Sequence, residues 1–380
     1  MKVLQVTNFV SHHQLPVAKQ LAATLGAQDF RFAAVCPADP DRTRLGWAED
    51  ETTKWILRAG ERWRDKAELE EWWERADVVL CGERSLDLFR ARLQSGKLSF
   101  YMSERWWKPP IHMGRLLHPG FLQMALRFRD LARSPLFHFL ACGGMAGRDI
   151  RHLASFPDRV WRWGYFTPES DGGPRRPRDR STFNILWAGR MLHWKRLDTL
   201  LRAFSLLVPH AKDAHLTLIG HGPMEARWKA LADDLNLFGS VTFLPSCPAA
   251  EVRRWMGASD VYVLPSSGYE GWGAVVNEAM AEGCVVVASS VIGSAMSVIR
   301  EGQNGLLFRA GDYRQLAETL NRLYSEPERR LQIGSAGRRT ILEEWSPGTA
   351  AARFLRVSEA LLAGAPVPLF ASGPMTRDEE

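Results

Sequence analysis

Between the apolar run VYVLP and the helix-like run EAMAEG, residues 266–278 read SSGYEGWGAVVNE and place two acids, Glu270 and Glu278, eight positions apart. Glycines 268, 271 and 273 surround Glu270, which predicts a turn with special dihedrals that brings main chain and carboxylate close to a ligand. Gly271–Gly273 is expected to open the following helix, so that its free N–H groups receive an anion. Glu278, more than a turn into that helix, is placed to accept two hydroxyl hydrogen bonds from a vicinal diol; a helix-surface salt bridge is the plain alternative. Two cations stand at another such point: Gly189-Arg190 follows NILWA, and Lys195-Arg196 enters the next helix. Side-chain charge beside a helix N-terminus suits a phosphate or pyrophosphate, although Arg and Lys often merely decorate a loop. Gly220-His221-Gly222-Pro223 follows HLTLI; its glycines either let a ligand approach the backbone or make a simple turn. Taken together these groups describe a pocket for a diphosphate flanked by two hydroxyl-bearing groups, the layout of a nucleotide sugar.

The elements that must position these loops alternate along the second half of the chain. NILWAG, HLTLIG, VTFLP, VYVLP and CVVVAS read as strands; RLDTLLRAFSLLV, MEARWKALADDL, AAEVRRWMGAS and GAVVNEAMAEG read as helices. Such alternation predicts a parallel sheet with helices on both faces, whose ligands sit at the carboxyl ends of the strands. In the first half KVLQVT, the polar loop Asn8–Gln14, the amphipathic PVAKQLAATLG ending at Gly26 and FRFAAV make a βαβ opening. ADVVLCG, KLSFYMS and FHFLACG continue the strand count. Residues 168–180, PESDGGPRRPRDR, crowd proline, glycine and charge and are expected to link a first domain (1–167) to a second (181–345). A helix over 346–364 is expected to cross back to the first domain, and 365–380 to form a flexible tail.

At 380 residues the chain suits two domains. No apolar run reaches the roughly 18 residues of a membrane span, and MKVLQVTNFV leads straight into polar SHHQ, so neither a span nor a signal peptide is expected. Five scattered cysteines without CxxC or Cys/His spacing point to free thiols in a reducing cytoplasm. Residues 101–180 hold fourteen Lys/Arg against seven Asp/Glu, an excess larger than the net +6 of the whole chain. A solvated basic face, an anionic acceptor and an anionic membrane surface all fit that excess; nucleic acid fits less well, since no binding motif accompanies it. Asp39-Pro-Asp41 reads as a turn rather than a metal loop, and no metal is expected.

WAGRMLHWKRLDTLLRAF, LTLIGHGP, VTFLP, ASDVYVLPSSGYEGWGAVVNEAMAEGCVVVAS and REGQNGLLFRAGD, in that order over roughly 183–345, resemble the donor domain of retaining GT-B glycosyltransferases of family 4. The resemblance implies two Rossmann-like domains with parallel sheets facing a central cleft, and transfer of a sugar from a UDP- or GDP-type donor to a saccharide or lipid-linked acceptor in surface polysaccharide or glycolipid assembly. It assigns Arg190 and Lys195 to the donor diphosphate, Glu270 to the transferred sugar and Glu278 to the ribose hydroxyls. The main-chain N–H groups of Gly271, Trp272 and Gly273, with Gly220 and Gly222, would lie against the donor. Many relatives carry Phe at the place of Trp272, a change that bears on the sugar end of the pocket. In the first loop His13 and Gln14 stand where many relatives have a glycine pair, and are expected to line the cleft. A sugar-side histidine from the first domain is expected at His112 or His118. Trp106-Trp107-Lys108 could meet a membrane-borne acceptor or lie in the core. A nucleotide-sugar 2-epimerase and a non-catalytic nucleotide-sugar-binding protein are the rival readings.

Overall fold

Five consecutive buried residues, Val3–Thr7, make β1, the pattern of a strand covered on both faces of a parallel sheet. The computed structural model describes residues 1–37, 53–82, 86–108, 118–168 and 181–378. The chain divides into one unit of Met1–Pro168 with Glu344–Glu380 and another of Glu169–Glu343. Most of the expected linker, residues 169–180, lies outside the described residues, as do Asp39-Pro-Asp41 and His112.

In the first unit β1 is joined by β2 (Phe30–Ala34), β3 (Ile56–Arg58), β4 (Val78–Cys81), β5 (Leu98–Ser103), β6 (Phe137–Cys142) and β7 (Val160–Trp163). Their order is β3-β2-β1-β4-β5-β6-β7, every pair parallel. The sequence pattern does not single out β3 and β7, the two edge strands: β3 has only three residues, and Arg162 breaks the short apolar run of β7. The helix Leu15–Leu25 starts with Pro16 in its first turn and stops at Gly26, whose φ of 80° ends it in the left-handed region. Phe89, Phe128, Phe137, Phe139 and Phe156 fill the core beside the sheet.

Residues 365–378 correct the expectation of a flexible tail. The helix Pro347–Ala363 packs on Leu15–Leu25, and the chain then returns to β7. The N–H groups of Arg162 and Asp378 donate to the carbonyls of Thr376 and Val160, and Met375 N–H donates to Arg162. Met375 is fully buried. The strap satisfies the open edge of β7, where unpaired backbone groups would otherwise face solvent; proline content alone does not reveal such a docking site.

The second unit holds β8 (Phe183–Ala188), β9 (Ala214–Ile219), β10 (Val241–Leu244), β11 (Val261–Leu264), β12 (Val285–Ser289) and β13 (Leu306–Phe308), in the order β10-β9-β8-β11-β12-β13. All pairs are parallel. Both units are therefore doubly wound sheets, as expected, with the strand order reversing beside the first strand of each. Among the described residues no helix is long and apolar enough to cross a membrane.

Candidate functional site

In the second unit the strand order reverses between β8 and β11, and a crevice outside the carboxyl ends of two such strands is where open α/β sheets bind ligands. Their ladder is short, pairing only Val261 with Ile185 and Tyr262 with Leu186. Beyond it the Tyr262 hydroxyl donates to the Ala188 carbonyl at 2.9 Å and accepts from Ala188 N–H at 3.3 Å. Burial pushes the Tyr262 phenol well above its ordinary value, so it stays a neutral hydrogen-bonding bridge. This bridge anchors the residue just before the Gly189-Arg190 loop.

Two loops meet at that point. A 3₁₀ turn, His193–Lys195, follows β8, and the stretch from Ser266 to Gly273 follows β11. Ser267 N–H donates to the Trp194 carbonyl at 2.8 Å, the Trp194 and Tyr269 rings lie 5.2 Å apart, and Glu270 N–H donates to Ser267. Lys195 Nζ then reaches Glu270 Oε2 at 2.6 Å, with 16% and 15% of the two side chains exposed. Arg190 is exposed at the same strand end. Arg196, in a left-handed conformation at φ 52°, turns its guanidinium onto Asp198 instead. Trp194 and Tyr269 set the register of the two loops; in the sequence their only signal is an aromatic residue in each of two strand-end loops.

Gly220 and Gly222 admit a close approach, but of backbone to backbone within the site. A Cβ on Gly220 would stand 1.9 Å from the Gly189 carbonyl oxygen, and one on Gly222 2.7 Å from that of Met191. Met191 N–H donates to His221 and Met224 N–H to Met191, so the loop after β9 braces the loop that carries Arg190. Their φ values of 140° and 152° add to the requirement for glycine. Gly220→Ala is expected to cost about 2–5 kcal/mol through strain and overpacking; an unchanged unfolding midpoint would show that the brace gives way easily.

The helix after Glu270 begins at Val275, later than expected, and its seven residues end at Ala281. Gly271–Gly273 precede it as loop, and their carbonyls accept hydrogen bonds from Gly293 N–H, from Ser294 N–H at 2.8 Å and from the Ser294 hydroxyl at 3.0 Å. Gly273 has φ 79°, and a Cβ there would meet Ile292 Cγ2 at 2.9 Å. Trp272 points into the protein: it is 1% exposed, and its indole N–H donates to Asn277 Oδ1 at 3.1 Å. The large ring thus anchors the loop from within the unit. Glu278 is buried in the helix's first turns, 6% exposed.

In the first unit the order reverses between β1 and β4, and the loop after β1 carries His13 and Gln14. Ser11 shapes it: its hydroxyl accepts from His13 N–H and its carbonyl from the N–H groups of Gln14 and Leu15. The His13 ring stacks 6.2 Å from Tyr165, and its carbonyl accepts from Phe166 N–H. Gln14 Oε1 is buried without a hydrogen-bond partner among the described residues. His118 is an exposed N-cap of the helix Pro119–Leu131, accepting from Gly120 N–H at 3.2 Å, which accounts for a histidine there without a reaction. Trp106 and Trp107 are half-buried, with both backbone N–H groups on Asp149 Oδ2. Their indoles donate to Ser103 Oγ and the Asp149 carbonyl. A pair tied down in this way is part of the unit's packing.

Residues 175–340 match the family model of glycosyl transferases group 1. A D-inositol 3-phosphate glycosyltransferase of Thermomonospora curvata is 33% identical over 205 residues, 47% of this chain and 46% of the relative. A GDP-mannose-dependent monoacylated alpha-(1-6)-phosphatidylinositol monomannoside mannosyltransferase of Corynebacterium glutamicum is 30% identical over 205 residues, 52% of each. The chain thus spans about half the length of the curated relatives it matches. The crystal structure of Anabaena HepE in complex with UDP covers 96% of this chain and 100% of its own at a TM-score of 0.70 and 17% identity. The chain has the two-unit GT-B fold, and its second unit carries a glycosyl transferases group 1 domain.

Proposed function

We propose that the protein is a retaining glycosyltransferase that moves a sugar from a nucleoside-diphosphate donor to an acceptor hydroxyl. The meeting of a cationic loop and an acidic loop where β8 and β11 diverge carries this reading. Arg190 and Lys195 hold the diphosphate, Glu270 the transferred sugar and Glu278 the ribose hydroxyls. As the bond from the anomeric carbon breaks, charge gathers on the departing phosphate and the two cations stabilise it; in this reading no metal is required. The departing phosphate takes the acceptor's proton on the face the sugar leaves, which gives retention. One acid serves the sugar and the other the ribose, so the pair is not a glycosidase pair.

The names of the relatives support this class of chemistry: one is GDP-mannose-dependent, and HepE is seen with UDP. A UDP- or GDP-type sugar is the donor in this reading. A saccharide or lipid-linked saccharide of surface polysaccharide or glycolipid assembly is the acceptor, served by the first unit with His13 and Gln14.

Incubation with radiolabelled UDP- and GDP-sugars and such acceptors should yield a glycosylated product; epimerised donor without acceptor would support an isomerase instead. Glu278→Ala should weaken nucleotide binding by about 1.5–3 kcal/mol, the scale of hydrogen bonds to a charged group. Unchanged affinity in the folded variant would remove the ribose assignment.

A further inference from the structure

Lys195 and Glu270, which the proposed reaction assigns to different parts of the donor, are hydrogen-bonded to each other at 2.6 Å. The pairing is built in. The Ser267 to Trp194 hydrogen bond and the packing of Trp194 on Tyr269 lock the two backbones in register, and each side chain is about 15% exposed. The fold of the two loops therefore holds both side chains within reach of each other. Arg196, the next cation, is already engaged by Asp198 and does not relieve the pair.

We propose that Glu270 is an internal competitor for Lys195, which makes the site discriminate against a nucleoside diphosphate that has lost its sugar. This rests on the donor-site reading above. A diphosphate drawn to Lys195 meets a carboxylate beside that ammonium, and like charges at such range oppose binding. When phosphate oxygens accept the Lys195 N–H hydrogen bonds in its place, Glu270 loses its partner in a largely enclosed position, which is costly unless other donors replace it. The hydroxyls of an attached sugar are such donors. A nucleoside diphosphate without its sugar has no hydroxyl to offer at Glu270, its ribose hydroxyls being turned to Glu278, so it bears the loss, and the product nucleotide leaves more readily after transfer.

Glu270→Gln removes the negative charge and keeps the shape. Calorimetric titration with UDP, GDP and the corresponding UDP- and GDP-sugars, on wild type and on variants whose fold is checked by circular dichroism, tests the idea. Glu270→Gln should bind the sugar-free nucleotide roughly three- to tenfold tighter, a change of about 0.7–1.4 kcal/mol, and should bind the sugar nucleotide no tighter than wild type does. Glu270→Asp, which keeps the charge, should not tighten the sugar-free nucleotide to the same degree. Equal or weaker binding of the sugar-free nucleotide by Glu270→Gln overturns the proposal. So does an equal gain for both ligands, or an equal gain in Glu270→Asp. Wild type binding neither nucleotide nor sugar nucleotide would instead bring down the donor-site reading, and this inference with it.

Discussion

Replacing Lys195 by alanine is expected to lower the rate of glycosyl transfer by about 10²- to 10³-fold, the loss typical of removing one preorganised group that stabilises a developing anion. The side chain is only 16% exposed, so water screens it less than a surface lysine, and its place is set by the 3₁₀ turn His193–Lys195 after β8. The effect should appear in kcat, because charge on the leaving phosphate is greatest in the transition state. Arg196→Ala is the control: its guanidinium is bound to Asp198 at 2.9–3.3 Å, and its loss should change kcat by no more than about twofold, as for surface substitutions generally. An undiminished kcat in folded Lys195→Ala would take Lys195 out of the proposed mechanism.

Acid should destabilise the first unit through His138. This residue sits on β6, 2% exposed, and its Nδ1 accepts the Trp161 indole N–H at 3.1 Å. Burial, helped by the charge of Arg159, pulls its pKa from 6.5 down to about 3. Between those values the unfolded chain binds a proton that the folded protein does not. The contribution to stability is therefore complete above pH 6.5 and is lost as the pH falls toward 3. One pKa unit corresponds to about 1.4 kcal/mol, so the whole window amounts to roughly 5 kcal/mol. His138→Asn keeps a hydrogen-bond acceptor without a group that titrates there. Its unfolding midpoint should fall less steeply than that of wild type between neutral pH and pH 4; parallel curves would show that His138 is not the titrating group.

Much of the second unit is legible without coordinates. Its five longer strands are predominantly apolar runs flanked by glycine or proline, and the helices between them carry an apolar stripe, so local physics and burial point the same way. The edge strands β3 and β13 are not legible because three residues carry no period, and β7 because Arg162 breaks its short apolar run. The tail beyond 364 was misread because its order comes from hydrogen bonds to Arg162 and Val160, some two hundred positions away.

The same division runs through the site. Residue types and spacing were enough to mark Arg190, Lys195, Glu270 and Glu278 as groups at strand ends, since the alternation of strand and helix places every such loop on one edge of a parallel sheet. The strand order was not contained in that alternation. By setting β11 beside β8 and leaving β9 and β10 on the far side, the tertiary structure brought together residues 75 positions apart and made the Lys195–Glu270 pair. It also gave Gly220 a close backbone neighbour at Gly189, and turned Trp272 inward to Asn277. Local sequence can dictate which elements form and where their loops lie; which loops touch, and which polar groups neutralise one another, follows only when the sheet is assembled.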